Sequence, residues 1–373
     1  MNSATQNRSW IIGTCGRSAT AALALAIMLV LTVFTTGSAL AQAFATLADF
    51  QGSANGAEPL YGNLIQGTDG NNYGTTVRGG VYEQGTVFKV TPDGTLTALY
   101  SFCSQVNCTD GAEPFSRLVQ AGGNFYGTTA IGGANDGGTV FEITPAGQLT
   151  TLYSFCSQTN CTDGAEPFSG LVQAGGNFYG TTVSGGANGR GTVFEITPAG
   201  QLTTLYSFCS QTNCADGELP YAGLVQAGGN FYGTTEYGGA NAGRYGFGGT
   251  VFRITPGGQL TTLYSFCSQT NCADGAEPLS SLVQAGGNFY GTTVEGGANG
   301  FYGTIFEITP AGQLTTLHSF AYTDGADPTA GLIQATDGNF YGTTEGGGAN
   351  GRGTAFWSHA SRPVDHALQL RLY

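Results

Sequence analysis

Lysine is almost missing from this chain. Lys89 is the only one, and Lys and Arg together number 11 against 24 Asp and Glu in 373 residues. No basic stripe is present to neutralise a run of phosphates, which argues against nucleic acid as a partner and against anionic membrane surfaces. Histidine is scarce as well, at three residues. None of the three sits in a cluster with metal-ligand spacing, and no Gly-x-Ser-x-Gly elbow occurs. Charged residues make up only 9% of the chain, so solubility must come from neutral polar groups and scattered carboxylates. Past residue 41 no stretch carries helical periodicity. Glycine, by contrast, is abundant at 63 residues, and 23 Phe and 18 Tyr provide the apolar mass for a core.

The first 41 residues have a different composition. Arg8 and Arg17 precede an apolar run from Ala21 to Phe34, followed by Ser38-Ala39-Leu40-Ala41. That pattern predicts a secretory signal peptide over 1–41, cleaved after Ala41. An uncleaved membrane anchor is the alternative, but the run is short against the roughly 20 residues of a span. Cys15 lies ahead of the apolar run and leaves with the signal. The remaining chain holds all 24 acids and nine of the 11 bases, a formal charge of −15. No stable membrane insertion is expected of it.

Residues 42–357 are repetitive. "YGTT" begins at Tyr73, Tyr126, Tyr179, Tyr232, Tyr290 and Tyr341, and "GTVF" or a variant follows each time. Six units of roughly 53 residues leave no room for a linker or second domain. In the second unit, "RLVQA" (117–121), "NFYGTT" (124–129), "TVFEIT" (139–144) and "LTTLYSF" (149–155) read as strands. Gly122-Gly123 and Pro145-Ala146-Gly147 read as tight turns and "GGANDGG" (132–138) as a loop. The strands are rich in Val, Ile, Thr, Tyr and Phe, which suits sheets buried on both faces. Four antiparallel strands per unit is the arithmetic of a propeller blade. The predicted fold is an all-β, six-bladed β-propeller of four-stranded repeats. "TLADF" (46–50) aligns with "TLYSF", and the last unit stops at its third strand, so closure by the N-terminal strand is expected.

The run "DGNFYGTTEGGGANGRGTAF" (337–356), with "ITPAGQLTTLYSF" in other copies, resembles the GloVer tandem repeat of bacterial secreted "choice-of-anchor" proteins. The resemblance covers nearly all of the chain past residue 41. It implies a bacterial, exported, propeller-like protein and carries over no activity. Residues 358–373, "SHASRPVDHALQLRLY", depart from the pattern: they hold no hydrophobic anchor, and His and Arg appear abruptly. Either a released protein or an altered end of the gene would account for them.

In such a propeller the blade-to-blade connections and the "GGAN" loops share one face. Four connections carry cysteine pairs: Cys103/Cys108, Cys156/Cys161, Cys209/Cys214 and Cys267/Cys272. The spacing is wrong for the usual zinc and thioredoxin motifs. The pairs recur once per unit in a chain read as exported, so each is expected to close its own loop as a disulfide. The two connections without cysteine, at 50–59 and 320–328, are also shorter. "DGAEP" at 110–114, 163–167 and 274–278 reads as an Asx-type turn entering a strand. Calcium on its carboxylates is the competing reading, without the spacing of any known calcium loop.

Candidate chemistry lies where the repeat is broken. Glu236, Glu295 and Glu345 follow "YGTT" in three units and are the candidates for paired-carboxylate catalysis. His318 replaces a repeat tyrosine and reads as a half-buried strand residue, while His359 and His366 fall in the atypical tail. Tyr82, Glu83, Tyr237, Arg244, Tyr245, Phe247, Phe301 and Tyr302 stand in or beside the irregular "GGAN" loops. Such aromatics with nearby charges either stack on sugars or grip a protein, or fold back onto their own blade. The expectation is a monomeric, secreted or surface-held binding or scaffold module for an extracellular glycan or protein, with no cofactor. An extracellular carbohydrate-active hydrolase or lyase is the alternative.

Overall fold

The computed structural model describes residues 46–60, 64–242 and 247–359. The predicted signal peptide, Arg244, Tyr245 and nearly all of the C-terminal tail with His366 lie outside them. Among the described residues the chain forms six antiparallel sheets, five of four strands and the sixth of three. Each sheet is one repeat, with its strands in sequence order. Blade 2 is typical: Val119–Ala121, Asn124–Thr129, Thr139–Ile143 and Leu149–Ser154. These bounds match the repeat reading to within two residues. No described helix is long and apolar enough to cross a membrane.

The invariant letters of the repeat have visible physical duties. In "NFYGTT" alternate residues face opposite neighbours, as a pleated strand requires. Phe125 packs against Tyr73 of blade 1 at 4.0 Å between ring centroids, while Tyr126 packs against Phe178 of blade 3 at 4.2 Å. Gly127 leaves room for Phe141, whose ring tip would lie 2.7 Å from an added Cβ. The second threonine pairs its hydroxyl with the first residue of the third strand. Thr129 and Thr139 stand 2.8 Å apart, and the pair recurs in the other five blades. The first threonine reaches the next blade, as Thr128 Oγ1 donates to the Ser169 carbonyl at 3.0 Å. Each of the five interfaces between consecutive blades from 1 to 6 therefore combines an aromatic pair with a hydrogen-bonded peg, and buried phenylalanines such as Phe141, Phe155 and Phe194 fill the space between sheets.

Closure is where the structure departs from expectation. Leu47–Phe50 does lie against blade 1 where the preceding blade's outer strand belongs. Phe50 meets Phe88 at 4.9 Å, matching the Phe102–Phe141 contact at 5.2 Å. The Leu47 carbonyl approaches Gly94 as the Leu99 carbonyl approaches Gly147. The segment forms no ladder with Thr354–His359, however, and the sixth sheet has three strands. The expected closure by a hydrogen-bonded N-terminal strand is thus corrected to a packed segment. Ala48 and Asp49 replace the Tyr and Ser that secure this strand elsewhere. The residues at this seam are also more open: Leu64 is 56% exposed where its counterpart Leu118 is 3%, and Tyr341 is 36% exposed.

Candidate functional site

The two loop families do meet on one face. In the connection from blade 2 to blade 3, the Cys161 carbonyl accepts both Gly164 N–H and Gly186 N–H at 2.9 Å. This ties the cysteine loop to the "GGAN" loop of the next unit. All four cysteine pairs are disulfides within their own loops. Mass spectrometry of the non-reduced protein should find these four links and no free thiol beyond residue 41.

Each cysteine loop is also organised by an aspartate. Asp163 is fully buried. Its Oδ2 accepts the Tyr153 hydroxyl at 2.8 Å and the Ser157 N–H and hydroxyl at 2.9 Å, and its Oδ1 accepts the Gln158 N–H at 3.2 Å. Burial alone would raise its pKa, but the hydrogen bonds from Tyr153, Ser157 and Gln158 outweigh burial and hold it below the ordinary value. Tyr153 is pushed up to about 12, first by burial and then by the carboxylate beside it. The same clasp recurs at Asp110, Asp216 and Asp274. In the short connection to blade 6, Asp324 takes the Ala321 N–H at 2.8 Å and faces His318 Nε2 at 3.2 Å. His318 is therefore a half-buried strand residue substituting for the tyrosine of the clasp.

Three residues after the aspartate comes a column of acids in the left-handed region. Glu58, Glu113, Glu166, Glu277 and Asp327 have φ between 54° and 59°, with Leu219 taking this place in blade 4. Their backbone knits two blades together: Glu277 N–H donates to the Gly248 carbonyl at 2.7 Å, and its carbonyl accepts Val294 N–H at 3.1 Å. Their side chains fare differently around the ring. Glu113 pairs with Arg78 at 2.8 Å, and beside Leu219, outside the column, Glu218 pairs with Arg190 at 3.2 Å. Across blades 4–6, Glu236, Glu277, Glu295 and Asp327 form no ion pair among the described residues. Instead, carboxylates influence one another in sequence: Glu236 and Glu295 act on Glu277, Asp327 on Glu295, and Glu345 on Asp327. Burial first, then Glu236 and Glu295, push Glu277 up to about 7. Burial likewise raises Glu236 and Glu295.

The folded protein therefore holds the Glu277 proton more tightly than the unfolded chain. Stability should fall as pH climbs from about 4.5 to about 7 and then level off. Glu277→Gln is expected to raise the melting temperature at pH 8 by about 2 °C or more, with little effect at pH 4. Thermal scans of both proteins at the two pH values check this.

Of the eight repeat-breaking residues, two lie outside the described residues. Tyr82 and Phe301 stand out from the surface, 48% and 39% exposed, and Glu83 is exposed beside Tyr82. Tyr237 is half-buried beside the carboxylates and is pushed up to about 12, first by burial and then by Glu236 and Glu277. Phe247 and Tyr302 fold inward instead: Phe247 packs on the Cys267–Cys272 bridge and Tyr302 on the core between blades 5 and 6. Sequence reasoning missed Glu277, Asp327 and Tyr221, although all three stand in aligned columns. Phe115, Phe168 and Tyr221 form an aromatic arc at successive blades, with centroids 5.0 and 5.7 Å apart. Glu166 and Glu236 both act on Tyr221, after burial, to raise its pKa. Tyr221 thus joins the aromatic arc to the acidic stretch.

Six sheets in radial contact, with their long loops on one face, define a six-bladed β-propeller module. The chain belongs to the Gloeobacter/Verrucomicrobia repeat family, whose pattern it matches over residues 32–247 and 211–365. No curated protein matches it by sequence. Among solved structures it is similar to a luciferin-regenerating enzyme, at 12% identity over 79% of this chain and 85% of that one, with a TM-score of 0.44. It is similar to a putative gluconolactonase, at 13% identity over 88% and 92%, with a TM-score of 0.42. Puromycin hydrolase gives 13% identity over 82% of this chain and 46% of that one, with a TM-score of 0.49.

Proposed function

We propose that this chain is a secreted bacterial propeller acting as a monomeric extracellular or cell-surface binding or scaffold module, with the loop face of blades 4–6 engaging a glycan or protein. One observation carries the reading: Tyr221, Tyr237 and Phe301 share that face with Glu236, Glu277, Glu295 and Asp327, a carboxylate row without paired cations among the described residues. Aromatic faces stack on sugar rings or anchor a protein partner, and carboxylates accept hydrogen bonds from hydroxyl or amide donors. The four disulfides support the secreted setting. A glycan and protein array probed with the wild type should give hits that weaken about tenfold or more for Tyr237→Ala, and for Arg244→Ala and Tyr245→Ala in the neighbouring loop. Hits that ignore all three substitutions would contradict the reading.

The reading needs no cofactor. The aspartates of the "DGAEP" turns are taken up by protein donors, so EDTA should leave the melting temperature unchanged; a drop would assign calcium a structural place there.

One observation favours a second reading, an extracellular carbohydrate-active hydrolase or lyase. Glu277 is raised to about 7 beside two further carboxylates, which is how one acid of a pair is kept protonated for proton donation. Product release from a glycan hit, lost in Glu236→Gln or Glu295→Gln, would establish it. Binding without turnover would favour the module.

A further inference from the structure

The first strands of neighbouring blades face one another around the axis, and one side chain there breaks the repeat. Just before the leucine that precedes the first strand, the six units carry Asn63, Arg117, Gly170, Gly223, Ser281 and Gly331. Five of these are small or neutral; Arg117 is neither. It lines a cavity of about 590 Å³ between the first strands of blades 1–3, together with Leu64, Leu118, Leu171, Val172 and Gln173. The next blade gives it room: a Cβ on Gly170 would lie 2.6 Å from Arg117 Cγ and 3.4 Å from Nε. The Arg117 stem therefore runs across Gly170. Arg117 is exposed, and it is absent from the described ion pairs, which engage Arg78, Arg190 and His318.

We propose that this axial cavity binds a small organic carboxylate, with the Arg117 guanidinium as its anchor. The planar fork of a guanidinium matches a carboxylate with two parallel N–H donors. Leu118 and Leu171 turn into the cores, so exposed Leu64 with half-buried Val119 and Val172 takes the apolar part of the ligand, and Gln173 adds one neutral polar group. In a chain this acidic, a lone cation on the axis gives the cavity a preference opposite to that of the loop face. This site is separate from the one assigned to a glycan or protein, and either can fail without the other.

Benzoate, with neutral benzamide as the control, is a suitable probe by calorimetric titration of the full protein. Wild type should bind benzoate with a Kd of about 1 mM or below and benzamide at least about tenfold more weakly. Arg117→Ala should weaken benzoate binding about tenfold or more without shifting the melting temperature, because the side chain is exposed. Gly170→Ala keeps the charge but displaces the arginine stem, and it should weaken binding by a smaller factor. Tyr237→Ala, on the loop face, should leave benzoate binding unchanged. Failure of wild type to bind benzoate, equal affinity for benzamide, or undiminished binding in Arg117→Ala would overturn the proposal.

Discussion

Phe194→Ala is expected to cost about 3–5 kcal/mol of stability, the largest effect of any single substitution considered for this chain. The side chain is fully buried and lies between two blades. It contacts Phe155 of the preceding unit at 5.2 Å and closes over Gly180 of its own, where an added Cβ would lie 2.6 Å from the ring tip. Truncation leaves a cavity bounded by rigid sheets, which have little freedom to collapse into it. In a repeat architecture the loss strikes both the blade and its interface, the two quantities that sum to overall stability. Against a typical total of about 5–15 kcal/mol, that is a large fraction. Urea unfolding should show a midpoint shifted strongly downward with an unchanged slope. A loss below about 1 kcal/mol would mean that the blades do not pack as described.

Asp163→Ala is expected to cost about 3 kcal/mol, because it strands the Tyr153 hydroxyl and two backbone N–H groups that a buried charge had satisfied. Reducing the neighbouring Cys156–Cys161 bridge should cost about 2 kcal/mol by chain-entropy arithmetic. The carboxylate therefore holds this loop at least as firmly as the disulfide does. The carboxyl of Asp163 is held below its ordinary value of 3.8 in the folded state. Its contribution is then fully present above that pH and is lost as pH falls through the lower folded value. Wild type should lose stability in strong acid by a component that Asp163→Ala lacks. Denaturation curves of the two proteins at pH 7 and pH 3 measure it. Equal stability of the two at pH 7 would remove the clasp from the account.

The fold was largely legible from punctuation. Gly-Gly and Pro-Ala-Gly marked the tight turns, and the β-branched and aromatic runs between them marked the strands. The cysteine pairs, arriving together with extra loop length, marked their own closure. Two kinds of feature were hidden. The acid of "DGAEP" looked like part of a turn, and its backbone does serve as one at φ 56° in Glu277. The fate of its side chain depends on Glu236 and Glu295, 41 residues before it and 18 after it, which only the ring brings together. The inward turn of Phe247 and Tyr302 was also hidden, because an aromatic in a glycine-rich loop reads alike whether it points to solvent or to its own blade. At the ring's seam the alignment of "TLADF" with "TLYSF" was sound, as Phe50 on Phe88 shows. What it overlooked was that Ala48 brings no hydroxyl to the clasp and little surface to the core.

The central claim is that the loop face of blades 4–6 is the working surface and the repeated clasps beneath it are scaffold. Hydrogen–deuterium exchange on the protein, with and without the strongest array hit, tests this most directly. The account predicts added protection in peptides covering 218–221, 236–237, 277 and 295–302, and none at the Gly-Gly turns of 122–123, 175–176 and 286–287. Protection confined to those turns, with the loop face unchanged, would contradict it.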